Sequence, residues 1–422
     1  MRSIAVGLAG AAAGSVHAAL PYLAPDPATV ESRSVFEHLR RRSLAGLTSL
    51  LLIATAAAAD PGVTPEKILF GQSAALQGPA AALGIGMREG ILAAFNEVNK
   101  RGGVNGRSLQ LLSINDGYEP DAAIENTRKL IDVDNVFALI GAVGTTTSAA
   151  AQPLATAADV PFIGAFTGAG FLRDARLRNV INVRASYDQE TEAWIRYLVD
   201  KRGLQRVAML YQDDSFGRAG LSGVIQALDR RSMKLVAEGT YMRNTAAVKT
   251  AFLAIRKGQP DAVVLVGAYK PCADFIRLAR RHGLNALFVN ISFVGSTALA
   301  KELGDDGKDV IVSQVVPLPD DRSIPVVSRY RAALLAAFQH AVPDFVSLEG
   351  YLAGLLTIAA LKKVGPDVTR ERFLAAIYDT GTYDLGGVTL TFGPGDNQGL
   401  DDVFLTKIGA SGAFLFVRDP DR

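Results

Sequence analysis

The sequence predicts an α/β protein built as two doubly wound, Rossmann-like lobes, and three observations lead there. At 422 residues the chain exceeds one ordinary core and calls for two domains. Short apolar runs alternate with helix-period segments in two successive series, the pattern of parallel sheets covered on both faces. The composition, 49% hydrophobic and 20% charged, is that of a well-buried globular protein.

A different kind of segment stands ahead of the first series. Arg40, Arg41 and Arg42 precede the apolar run Leu44–Ala58, which ends in Ala57-Ala58-Ala59-Asp60. A basic n-region, an h-region of roughly 15 residues and an A-x-A site read as a secretory signal, too short to span a membrane. Residues 1–59 are therefore expected to be a leader cleaved near Ala59. Ile4–Leu20 is a second apolar segment, and a signal normally begins within a few residues of its arginines. Translation is accordingly expected to start near Val35, the alternative being an unusually long leader. Of 44 basic and 42 acidic residues the leader takes five and three, leaving 39 of each. That balance leaves no basic footprint for nucleic acid. Cys272 is the single cysteine, so neither an intramolecular disulfide nor a paired-cysteine metal site can form, and no cysteine follows the signal to carry a lipid. The expectation is a freely soluble periplasmic protein without metal or cofactor.

The elements follow in order. Ile68–Gly71 reads as a strand, and Pro79 opens a helix reaching Lys100, with Ile91, Phe95 and Val98 at helical spacing and Gly102-Gly103 as its stop. Strand Leu109–Ile114, helix Asp121–Asp132, strand Val136–Ile140, helix Thr145–Ala158 and strand Pro161–Ile163 complete the first series. The second contains helix Tyr187–Arg202, strand Arg206–Tyr211, helix Gly217–Arg230, strand Leu235–Glu238, helix Ala246–Lys257, strand Ala262–Val266, helix Cys272–Arg281 and strand Leu287–Val289. Helices at Val327–Gln339 and Leu348–Lys363 and extended segments Gly387–Phe392 and Asp402–Lys407 end the chain. Two such lobes make a cleft, and ligands of these sheets sit outside the carboxyl ends of the strands.

One stretch there carries chemistry. Val143-Gly-Thr-Thr-Thr-Ser-Ala-Ala150 places four hydroxyls behind a glycine, at the end of a strand and the start of a helix. A phosphate loop would need Gly-Lys-Ser/Thr, and no lysine occurs between Lys129 and Lys201. Gly84-Ile-Gly-Met-Arg-Glu-Gly90 misses the dinucleotide spacing by one and lies inside a helix. A nucleophile would need a base, yet past the leader only His282 and His340 occur, both in helical stretches, and there is no G-x-S-x-G elbow. Asp213-Asp214 reads as a cap and a solvated turn. Hydroxyls and free N–H groups at a helix start suit an anion, a carboxylate above all. A plain helix cap needs one hydroxyl or two, not four.

At this point the chain resembles a family, the periplasmic branched-chain-amino-acid-binding-type proteins of ABC importers, which have the type I two-lobe fold. The resemblance rests on Gln77-Gly-Pro-Ala-Ala, Val98-Asn-Lys-Arg-Gly-Gly-Val-Asn-Gly-Arg107, Asp116-Gly-Tyr-Glu-Pro120 and Leu139-Ile-Gly-Ala-Val-Gly-Thr145. Val160-Pro-Phe-Ile-Gly-Ala-Phe-Thr167, Asp213-Asp-Ser-Phe-Gly217 and Leu348-Glu-Gly-Tyr-Leu-Ala353 continue it in the same order. It implies a binding protein, not an enzyme, that grips an amino acid or similar small carboxylate between its lobes and delivers it to a membrane permease as a monomer. A ligand-sensing receptor of the same fold is the alternative. The ligand carboxylate would be held by Thr145, by the helix start at Thr146 and by Thr167, with a main-chain contact at Ala165 and closing aromatics at Phe216 and Tyr269.

Two positions depart from the family pattern. Ser292 falls where branched-chain binders place the glutamate that holds the ammonium, and Leu83 replaces an aromatic over the ligand. An enclosed ammonium without an anion would lose several kcal/mol. Either the ligand lacks an α-ammonium, or another acid such as Glu349 or Asp214 moves in. The resemblance also implies hinge crossings near 185, 316 and 386, giving one lobe 66–185 plus 317–385 and the other 186–316 plus 386–418.

Overall fold

A computed structural model describes residues 60–417, all within one unit spanning Ala58–Arg422. The expected leader and its cleavage near Ala59 lie outside the described residues. In lobe 1, β1 (Lys67–Ala74), β2 (Ser108–Asn115), β3 (Ala138–Ile140), β4 (Phe162–Ile163) and β5 (Val180–Ile181) form a parallel sheet in the order β2-β1-β3-β4-β5. The connecting helices are α1 (Ala81–Asn99), α2 (Pro120–Arg128) and α3 (Thr145–Ala157).

Lobe 2 repeats the scheme with α4 (Tyr187–Ile195), β6 (Val207–Gln212), α5 (Ser215–Asp229), β7 (Ala237–Tyr241), α6 (Lys249–Lys257), β8 (Ala262–Val266), α7 (Tyr269–Arg281), β9 (Leu287–Asn290), α8 (Ser296–Leu303) and β10 (Ile311–Gln314). Its parallel core runs β7-β6-β8-β9-β10, the same doubly wound order as lobe 1. The chain then returns to lobe 1 for α9 (Pro325–Ala337), α10 (Phe345–Val364), α11 (Arg370–Thr380) and the hairpin β11 (Thr382–Asp384) and β12 (Thr389–Thr391). It ends in lobe 2 with β13 (Phe404–Ile408), antiparallel to β10, and β14 (Phe414–Phe416).

The third crossing differs from the expected position near 386. Leu390 and Phe392 are buried in the lobe 1 core beside Tyr330 and Phe373, and Gln398 bridges Asn182 just past β5. The chain stays in lobe 1 through Gln398 and enters lobe 2 only with β13. The alternating run Gly387–Phe392 has the pattern of a sheet strand, but its apolar side covers lobe 1, so residues 386–398 belong there. The short strands β5 and β10 and the helices α8 and α11 carry too little periodicity to stand out in the sequence. Lys129–Val133 and Arg196–Lys201 continue α2 and α4 as wider π-type turns.

One helix governs lobe 1. α10 is long and apolar enough to cross a membrane, yet 89% of its most apolar stretch is buried inside the protein. Asp344 and Ser347 cap its start reciprocally, fixing where the apolar run begins. α10 lies so close to α1 that a Cβ on Gly90 would stand 1.9 Å from the Ser347 carbonyl oxygen. Backbone meets backbone there, and no side chain can swing aside. Gly90→Ala is therefore expected to destabilise the fold by about 1–3 kcal/mol, read as a lowered urea midpoint. An unchanged midpoint would show that the two helices part without cost.

Candidate functional site

The carboxyl ends of both sheets face one another at their switch points, between β1 and β3 in lobe 1 and between β6 and β8 in lobe 2. α3 starts in that gap. Its N-cap is Gly144, at φ 105°, and no side chain caps it. Only glycine fits, because a Cβ would lie 2.3 Å from the Tyr118 ring. The helix end thus carries a partial positive charge with its first N–H groups uncapped by any side chain.

The four hydroxyls of the stretch have separate surroundings. Thr145 Oγ1 lies 2.7 Å from Thr167 Oγ1, both buried, and Thr167 also donates to the Tyr187 hydroxyl at 3.3 Å. Thr146 accepts from Ser215 across the lobes at 3.0 Å. Thr147 turns back to donate to the Val143 carbonyl at 2.5 Å. The buried Ser148 hydroxyl has no hydrogen-bond partner. Of the four, Thr145 pairs with Thr167, Thr146 makes an interlobe contact, Thr147 bonds back to its own chain and Ser148 is buried without a partner.

Around the Thr145–Thr167 pair the walls are aromatic. Phe293, next to Ser292, places its ring centroid 4.6 Å from Phe216, 5.2 Å from Phe166 and 6.1 Å from Tyr118. Tyr187 packs 5.6 Å from Phe216. Phe166 and Tyr118 come from lobe 1, Phe216 and Phe293 from lobe 2, so one apolar cluster spans both lobes. Leu83 belongs to the same cluster, where a Cβ on Gly295 would lie 2.5 Å from its side chain. Tyr269 sits half-buried at the rim, its hydroxyl hydrogen-bonded to the Ala82 backbone.

A buried ionic group lies against this wall. The Arg184 guanidinium stands 5.0 Å from the centre of the Phe166 ring. It donates to Glu190 at 3.1 Å and to the Ser292 hydroxyl, and Glu349 lies 3.8 Å away. Burial acts to discharge Arg184, but Glu349 and Glu190 outweigh it and raise its pKa. Burial also lifts Glu349 to about 7, against the pull of Arg184. Arg173, brought down to about 9 by burial and by the charge of Arg184, ties the hinge together. It donates to Gln398 at 2.8 Å, to the Thr167 and Ala169 carbonyls at 3.2 and 3.0 Å, and to the Arg184 carbonyl at 3.1 Å.

The lobes also meet at the mouth of the cleft. Arg243 pairs with Glu119 of lobe 1 at 2.7 Å and with Asp214 at 3.1 Å, while Asn244 donates to the Gly117 carbonyl and to Glu119 at 3.0 and 2.7 Å. Asp214 also caps α5 through the Phe216 N–H at 3.0 Å, so it has no free side to offer a ligand.

Thr145, Thr167, Phe216 and Ser292 are thus brought into one buried interlobe cluster through Tyr187, Phe293 and Arg184, with Leu83 in the same apolar cluster, Tyr269 half-buried beside it and Thr146 at the lobe contact. Ala165, expected to offer a main-chain contact, lies in the loop that ends in Thr167; its side chain is buried in the lobe 1 core and its carbonyl accepts the Thr167 N–H at 2.8 Å. Sequence reasoning missed Arg184, Glu190, Tyr118, Tyr187, Phe166 and Phe293. An arginine set between Val183 and Ala185, just past the apolar pair Val180-Ile181, was the available signal for the first. Among the described residues no cluster of three or more metal-binding side chains occurs.

The buried carboxyls give stability a pH dependence. Glu349 keeps its proton in the folded protein up to about pH 7, whereas the unfolded chain releases it near its ordinary value of 4.5. This contribution is full below pH 4.5 and is lost as pH rises to about 7. Asp116, lifted by burial from 3.8 to about 6, acts in the same sense over its own lower window. Glu349→Gln is expected to gain stability relative to wild type as pH rises from 4.5 to about 7 and to show no further change above that. Urea midpoints across the range check it, and a pH-independent difference would contradict it.

Against known proteins, residues 67–413 match the family model described as Periplasmic binding protein. The Leu/Ile/Val-binding protein BraC3 of Rhizobium johnstonii is 25% identical over 335 residues, 79% of this chain and 89% of its own. A possible leucine/isoleucine/valine-binding protein from Rhodopirellula baltica superposes with a TM-score of 0.80 at 39% identity, over 83% of this chain and 96% of that one. A solute-binding protein of an ABC transporter from R. palustris, solved in complex with benzoate, shares the fold at a TM-score of 0.74 and 19% identity, over 83% and 95%. These relatives are binding proteins and not enzymes. With two doubly wound lobes closed over a hydroxyl-lined helix start, the chain belongs to the periplasmic binding proteins, as a type I member of the leucine/isoleucine/valine-binding kind.

Proposed function

We propose that this protein is the solute-binding component of an ABC importer, exported to the periplasm by its leader. It captures a small carboxylate between its lobes and presents the closed form to a membrane permease as a monomer. The Thr145–Thr167 pair, with hydroxyls 2.7 Å apart in front of the uncapped start of α3, carries this reading. A carboxylate that takes over the protons the two hydroxyls now share with each other and with Tyr187 accepts charge-assisted hydrogen bonds while facing the positive helix end, an arrangement neutral solutes do not exploit. The aromatic wall from Phe166 to Phe293 suits an aliphatic or aromatic remainder. The ligand does not require an amine. Ser292 stands where an ammonium-binding glutamate is expected, and the fold accommodates benzoate, which has no amine, in the R. palustris protein.

A thermal-shift panel tests the ligand class. Matched 2-oxo, 2-hydroxy and aromatic acids are expected to raise the melting temperature, and stabilisation by leucine or valine with none by the acids would overturn the reading. Thr167→Val should weaken binding of whichever acid stabilises most by about tenfold or more, since a hydrogen bond to a charged group contributes roughly 1.5–3 kcal/mol. Calorimetric titration reads the change, and an unaltered affinity would place the carboxylate elsewhere.

The mouth contacts should set how readily the lobes close. Exposed ion pairs contribute only about 0.2–1 kcal/mol. Glu119→Ala is therefore expected to raise the ligand-free radius of gyration in solution scattering and to weaken binding by about two- to fivefold. Unchanged scattering together with unchanged affinity would show that Glu119 does not hold the closed form.

A further inference from the structure

We propose that Arg184 is the specificity-determining contact of the cleft, donating to an oxygen acceptor on the ligand where an amino acid would carry its ammonium. The preferred ligands are then carboxylates bearing a second, uncharged oxygen, of the 2-oxo-acid class. This inference rests on the carboxylate reading above and narrows it.

The argument begins with Glu190. A carboxylate has about four acceptor positions, and here all are taken. Oε1 accepts from Arg184 Nη2 at 3.1 Å and from the Ser292 hydroxyl at 2.9 Å, and Oε2 accepts from the Ser292 N–H at 2.9 Å and from the Ser313 hydroxyl. The acid at the Ser292 position is therefore saturated and committed to an arginine. An ammonium entering there would meet a guanidinium with no acceptor to spare.

Arg184 itself is the reverse case. It is fully buried, and a guanidinium has five N–H donors, yet its Nε and Nη1 have no hydrogen-bond partner. Glu349, at 3.8 Å from Nη1, lies beyond hydrogen-bonding distance. Buried donors of this kind are almost always satisfied in folded proteins, by protein, water or ligand. The Phe166 ring lies 5.0 Å from the guanidinium carbon, and the Tyr187 ring, whose hydroxyl meets Thr167, lies 5.9 Å away. Tyr187 thus adjoins the guanidinium with its ring and the hydroxyl pair with its hydroxyl, so the unused donors and the pair lie about one side chain apart, the span the proposed ligand would bridge. Glu349, lifted by burial to about 7, supplies a proton donor beside the same oxygen below that pH.

Three matched sets test the assignment on the wild-type protein by isothermal titration. They are pyruvate, alanine and propanoate; 4-methyl-2-oxopentanoate, leucine and 4-methylpentanoate; and phenylpyruvate, phenylalanine and 3-phenylpropanoate. In the best-binding set the 2-oxo acid is expected to bind about tenfold or more tightly than the acid lacking the oxo group, with the amino acid weakest. Arg184→Met should bring the ratio of oxo to simple acid within about threefold. Equal binding of oxo and simple acid by the wild-type protein overturns the role of Arg184 while leaving the carboxylate reading intact, and needs no variant to fold. An amino acid binding as tightly as its oxo acid also overturns it. Binding by none of the nine refutes this inference and the small-carboxylate reading together.

Discussion

The closed form is organised around one arginine taken wholly out of water. A buried guanidinium calls for a paired anion and for hydrogen bonds, and the chain supplies the anions, but only part of the hydrogen bonds, from elements far apart in sequence, leaving Nε and Nη1 without a partner. Arg184 lies on the first crossing between the lobes, Glu190 on α4, Ser292 after β9, Ser313 on β10 and Glu349 on α10. The one ionic group therefore draws together the hinge, the second lobe's strand ends and the governing helix of the first lobe. A rotation that parts the lobes changes the surroundings of Arg184, which links the geometry of the hinge to the chemistry of the cleft.

The hinge and the mouth oppose opening in different ways. Arg173 binds the third crossing through Gln398, the first through the Arg184 carbonyl, and the loop carrying Thr167 through two carbonyls. These bonds are partly buried and tie together segments at the hinge itself, one of them across 225 residues of chain. Contacts at the mouth, from Arg243 and Asn244 to Glu119, are partly exposed and individually weak. Closure then depends mainly on what the cleft holds, because a ligand shifts the equilibrium only by its preference for the closed state.

Much of this was legible in the sequence, for identifiable reasons. Alternating apolar runs and helical periods gave both doubly wound lobes, since parallel strands buried on two faces leave a strong apolar signature. Thr145 stood out because a glycine-preceded helix start with several hydroxyls is chemically unusual, whereas Thr167 was named only through the family resemblance. The third crossing was misplaced because alternation reports that a strand has a buried side and not which core buries it, and Leu390 turns to lobe 1. Ala165 was assigned from resemblance alone, as a main-chain contact, which no side chain signals in the sequence.

The missed residues share a different cause. Glu190 sits in α4 three residues after the aromatic Tyr187, where an acid in a first helical turn reads as a favourable partner of the helix dipole. Its burial follows only from the approach of Ser292 and Ser313, more than one hundred residues away along the chain. Ser292 in turn looks like a lost acid when sequence position is the sole guide. In three dimensions the acid is present on another element and is already neutralised by Arg184. On the proposed role of Arg184, a serine at that point does not leave a charge site vacant; it sets a site of the other sign, a donor for oxygen where an acceptor of cations would stand.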